Sequence, residues 1–187
     1  GTTVMSAGAA TKLYDALTAT GEFTLEVKFQ PANLTQDGPA RIVSYSSGTS
    51  NANFTFGQVD DEYVQRLRTS NAGGTGSQFD SAGVLTTGDV HHVIVTYQDD
   101  ELKFYRDGAL EHTFSRDGTF SNWNSGWRFV LANETTDNRD WLGTLYRVAV
   151  YDRGLSASQT ADVFGGGSPS DESGEEAVFT ARWVRVP

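Results

Sequence analysis

Apolar and polar residues alternate along much of this chain with the two-residue period of β-strands. The clearest case covers residues 22–29, E-F-T-L-E-V-K-F, where every second residue is large and apolar. Residues 93–97, V-I-V-T-Y, follow the same rule, and the alternation resumes at 102–104 after the polar cluster Q-D-D-E at 98–101. An Asp-Gly pair at 107–108 then tolerates the positive φ of a tight turn. The pattern therefore predicts a meander of antiparallel strands.

Further strands and one helix follow from the same signals. Segments rich in Ser, Gly, Asn and Asp separate the apolar runs. Ser156 is a suitable N-cap for a helix over 155–164. Four predicted strands, at residues 22–29, 40–45, 53–58 and 62–69, are expected to pair as successive antiparallel neighbours. The additional predicted strands cover residues 40–45, 53–58, 62–69, 126–132 and 143–151.

Two other segments have weaker signals. At the N-terminus, residues 4–5 and 12–14 are predicted to be short edge strands. Residues 70–83, S-N-A-G-G-T-G-S-Q-F-D-S-A-G, are too polar and too rich in glycine for regular structure. Because a long loop in a compact domain often carries function, we expect this one to border a binding face.

The chain is long enough for one sizeable core. Its 187 residues are 37% hydrophobic and 12% aromatic, which excludes a disordered chain. The predicted fold is all-β, a two-sheet antiparallel β-sandwich with one short C-terminal helix. We assign residues 1–165 to this domain and 166–176, G-G-S-P-S-D-E-S-G-E-E, to a linker-like segment. Residues 177–187 are predicted to be a strand that returns to the sandwich or starts a neighbouring module.

Charge and residue usage narrow the functional classes. The formal net charge of −10 argues against a reader of nucleic acid, which needs a basic surface. No apolar run approaches about 20 residues, so we expect no membrane insertion. The absence of cysteine excludes disulfides, thiolate metal sites and thiol nucleophiles. Because the chain starts at Gly1, we expect a mature product or a fragment of a larger multidomain protein.

Three segments resemble a known family. Residues 88–110, G-D-V-H-H-V-I-V-T-Y-Q-D-D-E-L-K-F-Y-R-D-G-A-L, are similar to the pattern G-x-W-H-H-V-A-V-T-Y-x-x-G-x-L-x-x-Y-x-D-G of laminin-G-like jelly rolls, with Val90 in place of Trp. Residues 140–156, D-W-L-G-T-L-Y-R-V-A-V-Y-D-R-G-L-S, resemble the late strand and helix of that family, and 22–31 resembles its early strand. Over about residues 10–165 the chain is thus similar to the concanavalin A-like lectin/glucanase superfamily.

This resemblance implies a laminin-G-like jelly roll that acts as a non-catalytic recognition module. The expected ligand is a carbohydrate, either a polysaccharide or a cell-surface glycan. The expected location is extracellular, on the cell surface or in the periplasm. A protein-binding or structural spacer domain would have the same fold, and it stays open as an alternative.

Calcium is a further expectation, because many folds of this type hold a structural Ca²⁺. Residues 145–147, L-Y-R, lack the acidic residue that is common at this point in the family. The segment 133–140 is nevertheless rich in the oxygen ligands that calcium prefers. Glu134, Asp137 and Asp140 are therefore candidate ligands, with a solvated acidic loop as the alternative.

Catalysis is another hypothesis, because the same architecture hosts hydrolases and lyases. Retaining hydrolysis needs two carboxylates about 5 Å apart, but the jelly-roll pattern E-x-D-x-x-E is absent. Residues 63–68, Y-V-Q-R-L-R, faintly resemble an arginine-bearing lyase strand, but the partner motifs Q-I-H and Y-x-K-x-G-x-Y are absent. His91 and His92 point to opposite faces of one strand and are interpreted as structural. A lyase would be expected to depend on Arg66 and His92.

Aromatic rings and planar polar groups near the loops are candidates for sugar binding. Trp123 and Trp141 could stack on a pyranose ring, but packing at the end of the core is the alternative for each and is favoured for Trp127 and Trp141. Arginines offer forked donors to an acidic glycan, unless each pairs with Asp or Glu on a neighbouring strand. The predicted ligand-binding set is Arg66, Arg68, Trp123, Asn133, Arg139 and Trp141.

Overall fold

The chain forms two antiparallel six-stranded sheets packed face to face, in a computed structural model that describes residues 3–36, 38–167, 169 and 177–186. The strands of sheet I, in chain order, are β1 (Val4–Met5), β3 (Ala40–Gly48), β4 (Asn51–Val59), β5 (Glu62–Leu67), β6 (Ser77–Asp80) and β10 (Arg128–Leu131). Those of sheet II are β2 (Phe23–Pro31), β7 (His91–Gln98), β8 (Glu101–Arg106), β9 (Ala109–Ser115), β11 (Gly143–Tyr151) and β12 (Phe179–Val186). The spatial orders are β1-β10-β3-β4-β5-β6 and β12-β11-β2-β7-β8-β9. The predicted all-β sandwich is confirmed.

The inner faces of the two sheets form one hydrophobic core. On β2 the apolar residues predicted from the alternation are all buried, and their rings meet those of β4. Phe23 stacks on Phe54 with ring centroids 5.4 Å apart, and Phe29 meets Phe56 edge-on at 5.9 Å. Each such side chain contributes about 1.5–3 kcal/mol when it leaves water. The core therefore accounts for the two-residue period of the sequence.

The outer faces of both sheets are also covered over part of their area. A helix, α2 (Ala157–Phe164), packs on sheet II, where Ile94 and Leu155 belong to a second buried cluster. On sheet I the loop of residues 132–142 brings Glu134 onto Ser44. Polar residues on the outer faces of these strands are consequently buried, which a simple alternation of buried and exposed positions does not predict.

Helix α2 begins with the predicted cap. The Gln159 backbone N–H donates to Ser156 Oγ at 3.3 Å, and the Ser156 N–H donates to Gln159 Oε1 at 2.9 Å. This reciprocal arrangement is a capping box, which satisfies two N–H groups that have no partner within the helix. The predicted helix over 155–164 is confirmed.

A second helix, α1 (Thr11–Thr20), corrects the prediction of a strand at 12–14. Leu13 and Leu17 lie four residues apart and are both buried, as one face of a helix requires. Gly21 ends the helix with φ of 73°, and its N–H donates to the Leu17 carbonyl at 3.0 Å. The other predicted edge strand, at residues 4–5, is present as β1.

Two further expectations about the strands are wrong. The segment 70–83 is not free of regular structure, because β6 lies within it and pairs with β5. Phe79 provides its inward-facing ring. In addition, β2 is not a neighbour of β3, since the two strands belong to different sheets; of the four strands expected to be successive neighbours, only β3, β4 and β5 are.

The C-terminal strand β12 pairs with β11 at the edge of sheet II. Most of the predicted linker, residues 168 and 170–176, lies outside the described residues, so its division from the domain stays a prediction. Of the helices that the structure describes, neither is long and apolar enough to cross a membrane.

Candidate ligand-binding face

Three arginines lie on the outer face of sheet I, and we call Arg66, Arg68 and Arg139 the arginine face. Arg66 is opposite Thr55 on β4 and Gln78 on β6, so it points away from the core. Arg68 follows the end of β5, and Arg139 comes from the loop between β10 and β11. All three side chains are half-buried. The predicted arginine set is therefore brought to one side of the sandwich.

These three arginines are not paired with carboxylates. Within the described part of the chain, none of them lies within 4.0 Å of an Asp or Glu oxygen. The Arg66 guanidinium donates instead to Gln78 Oε1, from Nε at 2.9 Å and from Nη2 at 2.6 Å. Arg139 Nη1 donates to the Gly38 carbonyl at 3.2 Å. In the part of the chain that the structure describes, the buried Nε atoms of Arg68 and Arg139 have no hydrogen-bond partner, so the fold does not use every donor of these two guanidinium groups.

The electrostatic state of Arg66 reflects the same lack of partners. Burial lowers the pKa of Arg66, and the positive charge of Arg139 lowers it further, against a smaller opposing effect of Asp80. A guanidinium stays protonated at neutral pH even so. The arginine face thus concentrates positive charge that the described residues do not neutralise, on a chain whose net charge is −10.

A buried ion pair underlies this face. Arg41 Nε lies 3.5 Å from Glu134 Oε2, and both side chains are at most 1% exposed. Ser44 Oγ donates to Glu134 at 3.1 Å, Ser46 Oγ also donates to it, and the Thr135 N–H donates at 2.8 Å. Burial lowers the pKa of Arg41 to about 10, and the charge of Arg66 contributes to the shift. The pair anchors the loop that carries Arg139.

The three candidate calcium ligands do not form one site. The Glu134 carboxylate is directed into the ion pair just described, whereas Asp137 and Asp140 are exposed. The Asn133 Nδ2 group donates to Asp137 Oδ1 at 2.7 Å and to Asp140 Oδ1 at 2.5 Å. Among the residues that the structure describes, no group of three or more His, Asp or Glu side chains is placed to hold a metal. The structure thus does not bring Glu134 together with the two aspartates, and a calcium site stays a prediction.

Three members of the predicted ligand-binding set are buried and cannot contact a ligand in this structure. Trp123 is 5% exposed, stacks on Phe120 with centroids 4.2 Å apart, and donates from Nε1 to the Arg68 carbonyl. Trp141 is 0% exposed, and its Nε1 donates to Gln58. Asn133 is also 0% exposed and holds its own loop together. The packing alternative accounts for both tryptophans, because each completes the end of the core.

Trp127, for which packing is favoured from the sequence, packs against the core cluster but is only partly buried. It lies just before β10, and the Cζ atom of Arg68 is 4.9 Å from the centroid of its ring. A guanidinium over an indole is a cation–π contact. Trp127 also lines a cavity of about 270 Å³ together with Thr135 and Thr136. No local pattern distinguishes this tryptophan from Trp123, because both follow polar turn residues.

A second cavity, of about 410 Å³, lies where the same loop meets the segment after β2. Its polar lining includes Arg139 and Asp140 from one side and Asn33 and Gln36 from the other. The loop of residues 132–142 therefore contributes to two openings, and amide, hydroxyl and guanidinium donors surround them. Sites that read sugar hydroxyls use donors and acceptors of this kind.

His92 lies on a different face from Arg66. Its Nε2 is 3.0 Å from Glu26 Oε1, on the outer face of sheet II under α2, and its ring meets that of Phe164 at 4.5 Å. His91 packs on the opposite side, against Phe29. The structure thus separates Arg66 from His92 by the thickness of the sandwich, so the two cannot serve one lyase site.

Solved structures share this fold. A heptameric SAP-like pentraxin from Limulus polyphemus is 14% identical with a TM-score of 0.60, over 89% of this chain and 84% of that chain. A Ruminococcus gnavus IT-sialidase CBM40, solved with α2,3 sialyllactose, is 15% identical with a TM-score of 0.63, over 87% and 98%. A botulinum neurotoxin DC binding domain, solved with rat synaptotagmin II, is 13% identical with a TM-score of 0.57; the match covers 88% of this chain but only 42% of that one. At these identities the likeness shows the fold alone.

No curated protein matches the chain significantly. A family profile does, over residues 5–161, which include both sheets except for β12 and part of β1. The residues of that span carry the motifs at 88–110 and 140–156 on which the resemblance was based. The chain belongs to the Laminin_G_3 family of the concanavalin A-like lectin/glucanases superfamily.

Proposed function

We propose that this domain is a non-catalytic carbohydrate-binding module whose ligand is an acidic glycan bound on the arginine face. The observation that carries the proposal is the set of three half-buried arginines without a carboxylate partner among the described residues. On a domain of net charge −10, arginines have many potential acidic partners. Their orientation away from those partners supports an acidic group on a ligand.

The chemistry of the face suits an acidic sugar. A guanidinium presents parallel N–H donors that match the two oxygens of a carboxylate or sulfate. The half-exposed Trp127 ring provides an apolar surface for a pyranose. The cavity beside it and the one beside Arg139 offer hydroxyl and amide groups for the remaining sugar hydroxyls. In the proposed arrangement, the acidic sugar unit of the glycan contacts Arg66 and Arg139. A neighbouring sugar unit then lies toward Trp127.

The wider context is part of the same proposal. We place the module outside the cell, on its surface or in the periplasm, as a part of a larger protein, because soluble polysaccharides and surface glycans are found there. A structural Ca²⁺ stays a prediction, with Asp137 and Asp140 as the exposed carboxylates that could take part in it. Binding is therefore measured with and without calcium.

A glycan array that spans neutral and acidic polysaccharides tests the proposal. Acidic glycans are expected to bind and their neutral counterparts are not. Arg66→Gln and Arg139→Gln should each weaken a hit by about tenfold or more, since a hydrogen bond to a charged group contributes about 1.5–3 kcal/mol. Lys103→Gln is the matched control, because Lys103 is exposed on sheet II and pairs with Glu101.

Three outcomes are distinguishable. Saturable binding without new reducing ends or unsaturated uronates supports a binding module. Turnover of a bound glycan would contradict the non-catalytic part of the proposal and favour a lyase or hydrolase. If the folded domain binds no glycan on the array, carbohydrate binding is contradicted, and protein recognition or a spacer role becomes the interpretation.

A further inference from the structure

The outer face of sheet II has a row of basic residues that the proposed glycan site does not use. Strand register places Arg182 opposite Arg147, Arg147 opposite Lys28, and Lys28 opposite His92. Residues directly opposite each other in antiparallel strands share one face of the sheet. Because neighbouring strands are about 4.8 Å apart, the row spans about 14 Å. We call these four residues the basic row.

One acidic side chain partly neutralises the row. Arg147 Nε donates to both Glu26 oxygens at 2.8 Å, and His92 Nε2 lies 3.0 Å from Glu26 Oε1. The remaining two residues, Lys28 and Arg182, are exposed on either side of Arg147. Neither has an ion-pair partner within 4.0 Å in the described ranges. Lys28, Arg147 and Arg182 together carry three positive charges against the one negative charge of Glu26, which leaves two.

Sheet stability does not account for this arrangement. Like charges directly opposite each other on neighbouring strands are destabilising. Here two such pairs of opposite positions occur side by side, Arg182 with Arg147 and Arg147 with Lys28. A negatively charged ligand between these side chains would offset the repulsion among them.

The row borders a cavity of about 380 Å³, which is large enough for a small ion or for one group of a larger ligand. The opposite wall is the C-terminal end of α2, including Phe164 and Gly167. Helix carbonyls at this end would ordinarily repel an anion. Here Gly165, Gly166 and Gly167 donate their N–H groups back to the last turn, at 2.9, 3.1 and 3.0 Å. The carbonyls are thus already hydrogen-bonded within the helix end.

We propose that the basic row binds a doubly charged tetrahedral oxyanion, a phosphate or sulfate, between the side chains of Lys28, Arg147 and Arg182. A dianion balances the two uncompensated charges, whereas a single carboxylate balances only one. The Arg147 fork is held in place by Glu26 and by Tyr151, whose hydroxyl is 3.3 Å from Nη2, so the central donor is oriented before binding. Lys28 and Arg182 close on the ion from the two sides. This site is separate from the arginine face and stands independently of the glycan proposal.

Titration of the ¹⁵N-labelled protein with inorganic phosphate tests the site, against sodium chloride at equal ionic strength. Saturable shifts of backbone amides on β2, β11 and β12 around the row are expected with phosphate only. Lys28→Gln and Arg182→Gln should each weaken binding by about tenfold, and the double variant should abolish it. Lys103→Gln again provides the same change of charge on the same sheet and should bind as the wild type does.

Parallel titrations identify the source of the oxyanion. If glycerol phosphate binds as tightly as inorganic phosphate, the site accepts the ester group of a larger ligand; if only the inorganic ion binds, the ligand is the free ion. Inorganic sulfate should bind at the same residues. The absence of saturable shifts beyond those in chloride would overturn the proposal. An equal loss in Lys103→Gln would overturn it as well, because it would show a nonspecific effect of net charge.

Discussion

Arg147 on the outer face of sheet II and Arg66 on the outer face of sheet I have opposite surroundings. On sheet II, Arg147 is held by both oxygens of Glu26 at 2.8 Å. Burial disfavours its charged form, but the hydrogen bonds and charge of Glu26 outweigh burial and raise the pKa of Arg147. On sheet I, Arg66 has a glutamine partner, and burial together with the charge of Arg139 lowers its pKa. The fold therefore gives Arg147 a carboxylate partner, whereas Arg66 has none among the described residues.

This contrast separates structural from functional charge. A cation that the fold needs is expected to have an internal partner, because an unpaired charge removed from water is destabilising. A cation kept without such a partner, but with access to solvent, can bind an external anion. By this criterion Arg147 has a structural role, and Glu26 also orients it as the central donor of the proposed oxyanion site, while Arg66 and Arg139 belong to the proposed glycan site. Lys28 and Arg182, beside Arg147, are also cations that have access to solvent and no ion-pair partner among the described residues.

The largest effect is expected where one acid satisfies several partners. Glu26→Ala would leave Arg147 and His92 without their shared carboxylate, and Tyr151 without an acceptor at 3.1 Å. Loss of one member of a buried pair is strongly destabilising, and we expect about 4 kcal/mol less free energy of unfolding in urea. The exposed pair of Glu101 and Lys103 provides the control, since Glu101→Ala should change stability by less than about 1 kcal/mol. Equal effects would remove the distinction between the two kinds of charge.

On sheet I the corresponding test is Glu134→Ala. This change leaves the buried Arg41 unpaired and removes the acceptor of Ser44 and Ser46. We expect a loss of about 3 kcal/mol in the free energy of unfolding. Because Arg139 lies in the loop that Glu134 anchors, affinity for acidic glycans should fall too. Lys103→Gln, on sheet II and outside the proposed glycan site, should leave both quantities nearly unchanged; a stable Glu134→Ala variant would show that the ion pair does not hold the loop.

A matched pair of substitutions sharpens the comparison directly. Arg147→Gln should lower the free energy of unfolding by about 2 kcal/mol, because Glu26 then lies buried with fewer donors. Arg66→Gln should change it by no more than about 0.5 kcal/mol, because it removes no ion pair and relieves repulsion by Arg139. Denaturant unfolding measures the free energy of unfolding of both variants. Similar losses in the two would mean that Arg66 is as structural as Arg147.

The smallest expected effect is the contribution of Glu26 to the pH dependence of stability. Burial raises the pKa of Glu26, but hydrogen bonds from His92 and Arg147 lower it by more, so it lies below the ordinary value of 4.5. A group whose pKa is lower in the folded state contributes stability that is present above about pH 4.5 and is lost as the pH falls through the folded-state pKa. Acid unfolding followed by circular dichroism should therefore be less steep in Glu26→Ala. An unchanged acid profile would contradict the assignment.

The strands with a strict two-residue period were predictable, because they bury one side against the core. Helix α1 was not, since only Leu13 and Leu17 mark its buried face and two apolar residues do not establish a period. The arginine set could be selected by residue type. The lack of carboxylate partners for these arginines could not be predicted from the sequence. Arg139 comes near Arg66 only when the loop of residues 132–142 folds across the sheet.

The same limit applies to the tryptophans and to the basic row. Trp123 and Trp127 have similar polar neighbours in sequence, and only tertiary packing buries one and leaves the other half-exposed. The basic row depends on the register of β12, β11, β2 and β7, whose residues are far apart along the chain. Residue identity indicates what chemistry is available, but the pairing of distant strands decides which residues meet.

The central claim is that Arg66, Arg68 and Arg139 bind an acidic glycan because none of them has a carboxylate partner in the described part of the chain. Its most direct test is calorimetric titration of an acidic glycan from the array into the wild type, Arg66→Gln and Arg139→Gln, with the free energy of unfolding measured alongside. The account predicts that affinity falls by about tenfold or more in each variant while stability is retained. Unchanged affinity in two stably folded variants would contradict it.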